Sequence, residues 1–211
     1  MIPWSRLRKP ALTIQENRHR QVIRQELRIV LLQMSNEFAA MQWSFRFPDF
    51  TTSTCFEWKP LLADNRAKDI IIESLRYLVL DQRVVVYGFV IMSNHIHLVW
   101  QIIGDRSLAQ VQRDFLRYTS QRILQLYRNI NSPMYDELVI AANDRMRTVW
   151  QRRSFSRSIQ SRKFLNQKIN YIHNNPTKAG LCKKPDDYKY SSAGFYLLNR
   201  TEWDFLSHYD G

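Results

Sequence analysis

Residues 84–104 contain no aspartate, glutamate, lysine or arginine. An uncharged stretch of that length can cross a bilayer as a helix or be buried on both faces as strands. Its composition decides. It is dense in β-branched and aromatic residues, and it holds Ser93, Asn94, His95, His97 and Gln101. It reads as two buried strands, residues 83–92 and 94–102, joined by a tight turn at Ser93-Asn94. No membrane association is expected.

The flanks supply the other elements. Residues 51–58 (TTSTCFEW) alternate as a strand, closed by Pro60. Asp64 or Asn65 can cap a helix to about Leu80, with Ile70, Ile71, Leu75 and Leu78 on one side. Residues 104–107 open a long helix to about Arg128, and 135–148 read as helical. Residues 149–159 alternate as an exposed strand. Residues 161–175 form a helix that stops at Asn175-Pro176, because a residue before proline avoids the helical region. The order is βαββαβ, so the fold class is α+β: a ferredoxin-like sandwich with an antiparallel sheet and helices on one face. The tail, 181–211, reads as loops with a short helix at 193–198. Residues 1–48 read as a separate helical N-terminal extension, with a long helix at 15–42, and residues 49–211 as the main domain.

The chain has 211 residues, and 31 Lys+Arg against 19 Asp+Glu give a net charge of +12. With 45% hydrophobic residues it is globular rather than disordered. Two cysteines, Cys55 and Cys182, exclude a disulfide scaffold and a Cys-rich zinc module. They fit a reducing compartment, and the start MIPWSRLRKP lacks the apolar run of a secretory signal, so a cytoplasmic, nucleoid-associated location is expected. Such a charge favours nucleic acid over acidic proteins as a partner. Arg145, Arg147, Arg152, Arg153, Arg157, Arg162, Lys163 and Lys168 follow one another with no acidic residue between them. Trp150, Phe155 and Phe164 are interleaved. Charge for phosphates and rings for bases is what single-stranded nucleic acid requires.

Two constellations carry chemistry. His95 and His97 lie two apart on a strand and share a face, which suits a divalent metal. Tyr171 and Asn175 are one helical turn apart. Asn175 offers a carbonyl oxygen as a third ligand. A phenol beside a metal-bound phosphodiester is a nucleophile, and Lys178 can neutralise phosphate charge. The same residues also fit a core tyrosine and a turn asparagine.

FVIMSNHIHLV at residues 89–99, YIHNNPTKAGL at 171–181 and PDDYKYSSA at 185–193 together resemble the REP-associated tyrosine transposases, of the HUH single-tyrosine class. The resemblance runs from about residue 51 to 198. It implies that His95, His97 and Asn175 hold Mg²⁺ or Mn²⁺, and that Tyr171 attacks a DNA phosphorus to form a 5′-phosphotyrosine. The substrate would be single-stranded or hairpin DNA from repeated palindromes. Arg152, Arg153, Arg157, Lys163 and Lys178 would then contact that DNA. Monomer and homodimer both stay open. Ser93 stands where relatives often have proline, and residues 15–42 have no counterpart. A non-catalytic, domesticated hairpin-DNA-binding protein is the alternative. An RNA-binding sheet is a third reading, in which the histidines would be idle.

Overall fold

The computed structural model describes residues 47–141 and 148–209. The elements are β1 (Asp49–Thr54), α1 (Asn65–Leu80), β2 (Val84–Ile91), β3 (His95–Ile102), α2 (Leu108–Asn129), α3 (Pro133–Ala141), β4 (Phe155–Ser158), α4 (Arg162–His173), α5 (Asn175–Lys178) and α6 (Ala193–Leu198). The four strands form one sheet in the order β2-β3-β1-β4, and every pair is antiparallel. This is the βαββαβ arrangement expected from the pattern. The expectation for residues 1–48, apart from Phe47 and Pro48, lies outside the described residues, as do Arg145 and Arg147.

The uncharged stretch does form β2 and β3. On β3, Ile96, Leu98, Trp100 and Ile102 face one way and enter a core shared with α1 and α2. Each such side chain contributes roughly 1.5–3 kcal/mol by leaving water. β2 feeds the same core from Val84 and Val86, then from Phe89 and Ile91. The pairing register shifts between Val86 and Gly88, so Tyr87 is an extra residue. Without that bulge the two pairs would point to opposite faces. Both helices are capped from the sequence. The Asp64 carboxylate accepts from Arg66 N–H, and Ser107 and Gln110 form a capping box.

The structure corrects four expectations. Helices cover both faces of the sheet, not one. α4 lies on the face opposite α1 and α2, where Leu165, Ile169 and Ile172 pack on Phe50, Val90 and Val99. It comes close because Gly88 lies beneath it: a Cβ there would stand 2.5 Å from Ile169 Cδ1 and 3.0 Å from Ile172 Cδ1. Second, the strand expected at 149–159 is only β4. Val149 and Trp150 are buried instead, with Trp150 bridged to Cys55 and its indole N–H donating to Thr119 Oγ1. Third, the helix expected to run to Asn175 breaks at Asn174, and Asn175 begins the one-turn α5. The strand at 51–58 is also shorter, giving way to a 3₁₀ turn at Phe56–Trp58.

Candidate active site

The sheet face under α4 is where the singled-out residues meet. Thr52 of β1 is directly opposite His97 of β3, and Thr54 is opposite His95. The two imidazole centroids are 4.8 Å apart. Each ring is oriented through Nδ1. Asn94 Oδ1 accepts from His95 Nδ1 at 2.7 Å, and Thr52 Oγ1 lies 2.8 Å from His97 Nδ1. His97 Nε2 is left for another partner, and the His95 ring also meets the Asn175 side chain. Burial disfavours the charged forms. It lowers His97 from 6.5 to about 3, helped by the neighbouring His95 and Lys168 charges. It also lowers His95, where a hydrogen bond that the ring donates to the Asn175 side chain opposes the effect. Both rings are therefore neutral at pH 7, as ligands must be.

Tyr171 arrives from α4. Its ring centroid is 5.3 Å from His97 and 5.9 Å from Phe50. Phe50 in turn stacks on His97 at 5.4 Å, so one buried ring fixes the spacing between Tyr171 and His97. Tyr171 remains 42% exposed. The other tyrosines near this end of the chain are occupied. Tyr188 donates to Ile91 O at 2.9 Å and its phenol is pushed up to about 12 by burial. Tyr190 is buried and donates to Asp69 at 2.9 Å. Asn175 keeps its helical relation to Tyr171 across the break: its Nδ2 donates to Tyr171 O at 3.3 Å. His173, two residues on, points away and is buried, bonded to Ser192 Oγ at 2.8 Å.

Two imidazoles and one amide oxygen, with no carboxylate, make an open donor set. Among the described residues there is no group of three or more His, Cys, Asp or Glu, so the amide is needed to complete it. The arrangement fits a divalent cation that keeps positions free for phosphate oxygens and water.

Cations surround the phenol. Lys168 Nζ stands 4.4 Å from the Phe50 centroid, 5.3 Å from Phe164 and 5.5 Å from Tyr171. Lys178 Nζ is 5.9 Å from the Tyr171 centroid. Arg157 lies on β4 with its guanidinium 5.0 Å from Phe164. Arg152, Arg153, Arg157, Lys163 and Lys178 are all exposed.

Sequence reasoning missed Phe50, Thr52, Asn94 as an orienting residue, and Lys168 as part of the site. Phe50 and Thr52 follow only from strand register, which no local pattern reveals. Lys168 had a readable signal, since it sits three residues before Tyr171 on the same helical face.

No family model and no curated protein matches the chain. Among solved structures, one described as a REP-associated tyrosine transposase bound to a REP hairpin is similar at 17% identity and a TM-score of 0.54. The match covers 78% of this chain and 86% of that one. A protein from Deinococcus radiodurans described as a candidate transposase is similar at 13% identity, with 62% of this chain and 91% of that one covered and a TM-score of 0.43. The chain has the fold of the first of these structures, and no helix among the described residues is long and apolar enough to cross a membrane.

Proposed function

We propose that the protein is a metal-dependent DNA strand-cleaving and rejoining enzyme, a transposase activity on single-stranded or hairpin DNA. The observation that carries this reading is the position of Tyr171. Its exposed phenol stands 5.3 Å, ring to ring, from a neutral imidazole whose neighbour His95 is hydrogen-bonded by Asn175. The likeness in fold to a hairpin-bound tyrosine transposase supports it.

In the proposed reaction Tyr171 Oη forms a bond to phosphorus and the P–O3′ bond breaks. The phenolic proton passes to solvent, and the departing 3′-oxygen takes up a proton to become a hydroxyl. The other strand end stays joined to the protein as a 5′-phosphotyrosine. Attack by a 3′-hydroxyl on that ester reverses the step, so no bond energy is lost to water. His95, His97 and Asn175 would hold Mg²⁺ or Mn²⁺, which would supply positive charge to the reacting phosphate. Asn94 and Thr52 hold the two rings in the ligating orientation. Lys168 and Lys178, both within 6 Å of the Tyr171 ring, would face the phosphate. Arg152, Arg153, Arg157 and Lys163 hold the flanking backbone.

The test is a denaturing gel. Hairpin DNA labelled 3′ to the cleaved bond is incubated with protein and Mn²⁺ or Mg²⁺. The expected result is label shifted onto the protein, lost in Tyr171→Phe while hairpin affinity stays near wild type. Tight hairpin binding by the wild type with no shifted label would instead indicate a non-catalytic hairpin-binding protein.

A further inference from the structure

Trp58 is the most exposed aromatic side chain among the described residues, at 62%. Its backbone is also costly. Glu57 and Trp58 both have positive φ, 50° and 58°, a region that side-chain-bearing residues avoid. Two consecutive residues of this kind persist only where the surroundings hold them, and such strain gathers at functional sites. Here the restraints are specific. Trp58 N donates to Cys55 O and Lys59 N donates to Phe56 O, each at 3.0 Å. Asn94 Nδ2 donates to Trp58 O at 3.3 Å.

The last bond links the turn to the reaction centre. The same Asn94 amide accepts from His95 Nδ1 through its Oδ1. One side chain therefore sets both the orientation of a ligand histidine and the position of an exposed indole. The indole centroid lies 6.4 Å from the His95 ring. A strained turn thus keeps a large apolar ring in water beside His95.

We propose that Trp58 is a stacking platform for the nucleobase adjoining the cleaved phosphate. This rests on the strand-cleavage reading above. A single strand drawn across the His95–His97 pair must splay its bases, and a fixed exposed indole offers a π-face to any of them. The platform fixes the strand at the cleaved bond, whereas the basic residues of β4 and α4 grip the backbone beyond it.

Two measurements on the full chain test the platform. The first is tryptophan fluorescence with an oligothymidine strand, compared with an abasic strand of equal length. Wild type should be quenched by oligothymidine and not by the abasic strand, and Trp58→Phe should lack that quenching. The second is the adduct rate on hairpin DNA. Trp58→Ala should lower it about 5- to 150-fold, the range alanine substitution gives at a stacked base, and Trp58→Phe should retain most of it. Both variants should melt near the wild-type temperature. Equal quenching in Trp58→Phe, or an unchanged adduct rate in Trp58→Ala, would overturn the platform. Adduct formation without Trp58-dependent quenching would sink the platform and leave strand cleavage standing. Trp58-dependent quenching without any adduct would sink strand cleavage and leave the platform.

Discussion

The two faces of β3 show two different ways of burying a strand. On one face Ile96, Leu98, Trp100 and Ile102 pack against α1 and α2 and do nothing but exclude water. On the other, His97 is buried and His95 half-buried as polar rings, oriented by Thr52 and by Asn94. Charge follows the same division. Arg66, Arg76 and Arg83, on or beside α1, are ion-paired with carboxylates, and Arg106, Arg113 and Arg117, on or beside α2, share Asp114. Arg152, Arg153, Arg157, Lys163, Lys168 and Lys178, on the β4 and α4 side, have no carboxylate partner among the described residues. A paired cation contributes little field beyond its partner. Cations without a carboxylate partner on one face present a positive field there. The lesson is that one side of the sheet carries an apolar core, and the other carries the polar rings and the cations without carboxylate partners.

The sharpest way to break this comparison is to truncate one ring on each face. Trp100→Ala should cost about 3–5 kcal/mol in urea unfolding, because it empties a fully buried site. His97→Ala should cost only about 0.5–1.5 kcal/mol, the scale of its Thr52 hydrogen bond, yet abolish adduct formation. Equal destabilisation by both would contradict the division.

Acid should act through the histidine face. Burial holds His173 at about 4 and His97 at about 3, both well below the 6.5 of an unfolded chain. A depressed folded value means the unfolded state takes up the proton first. The stability from each buried neutral ring is therefore complete above about pH 6.5 and lost as pH falls toward 4. From His173 alone the loss by pH 4.5 is on the order of 3 kcal/mol. Urea midpoints at pH 7.5 and 4.5 check it, and a flat profile would count against the burial of these rings.

Gly88→Ala is a smaller probe that couples the faces. The added methyl presses on Ile169 and Ile172 and should cost about 1–3 kcal/mol. Because α4 carries Tyr171, the adduct rate should fall along with the melting temperature. The smallest effect is on salt dependence. Removing Arg152 and Arg153 together should flatten the slope of log affinity against log salt on single strands by roughly 0.7 per lost contact. Removing the ion-paired Arg113 and Arg117 should leave that slope unchanged. Equal changes would erase the electrostatic distinction.

Much of the fold was legible. The uncharged stretch at 84–104 defined β2 and β3, and Asp64 or Asn65 and residues 104–107 marked the starts of α1 and α2, because these signals are local. The pairing of β1 with β3 is not local, so Phe50 and Thr52 could not be placed at the site. α4 was recognisable as a helix, but its side of the sheet was not, since Gly88 reads as an ordinary strand residue until a helix is laid over it. His95, His97, Tyr171 and Asn175 were singled out by spacing and by resemblance, and they do lie together. Trp58 gave no signal, because a tryptophan after a strand reads as core.

The most direct test of the central claim is to locate the covalent link. After reaction with hairpin DNA and Mn²⁺, the protein is denatured, treated with nuclease and trypsin, and analysed by mass spectrometry. The account predicts a nucleotide remnant on the tryptic peptide 169–178, whose single tyrosine is Tyr171. A remnant on Tyr188 or Tyr190, or no remnant on any peptide, would contradict it.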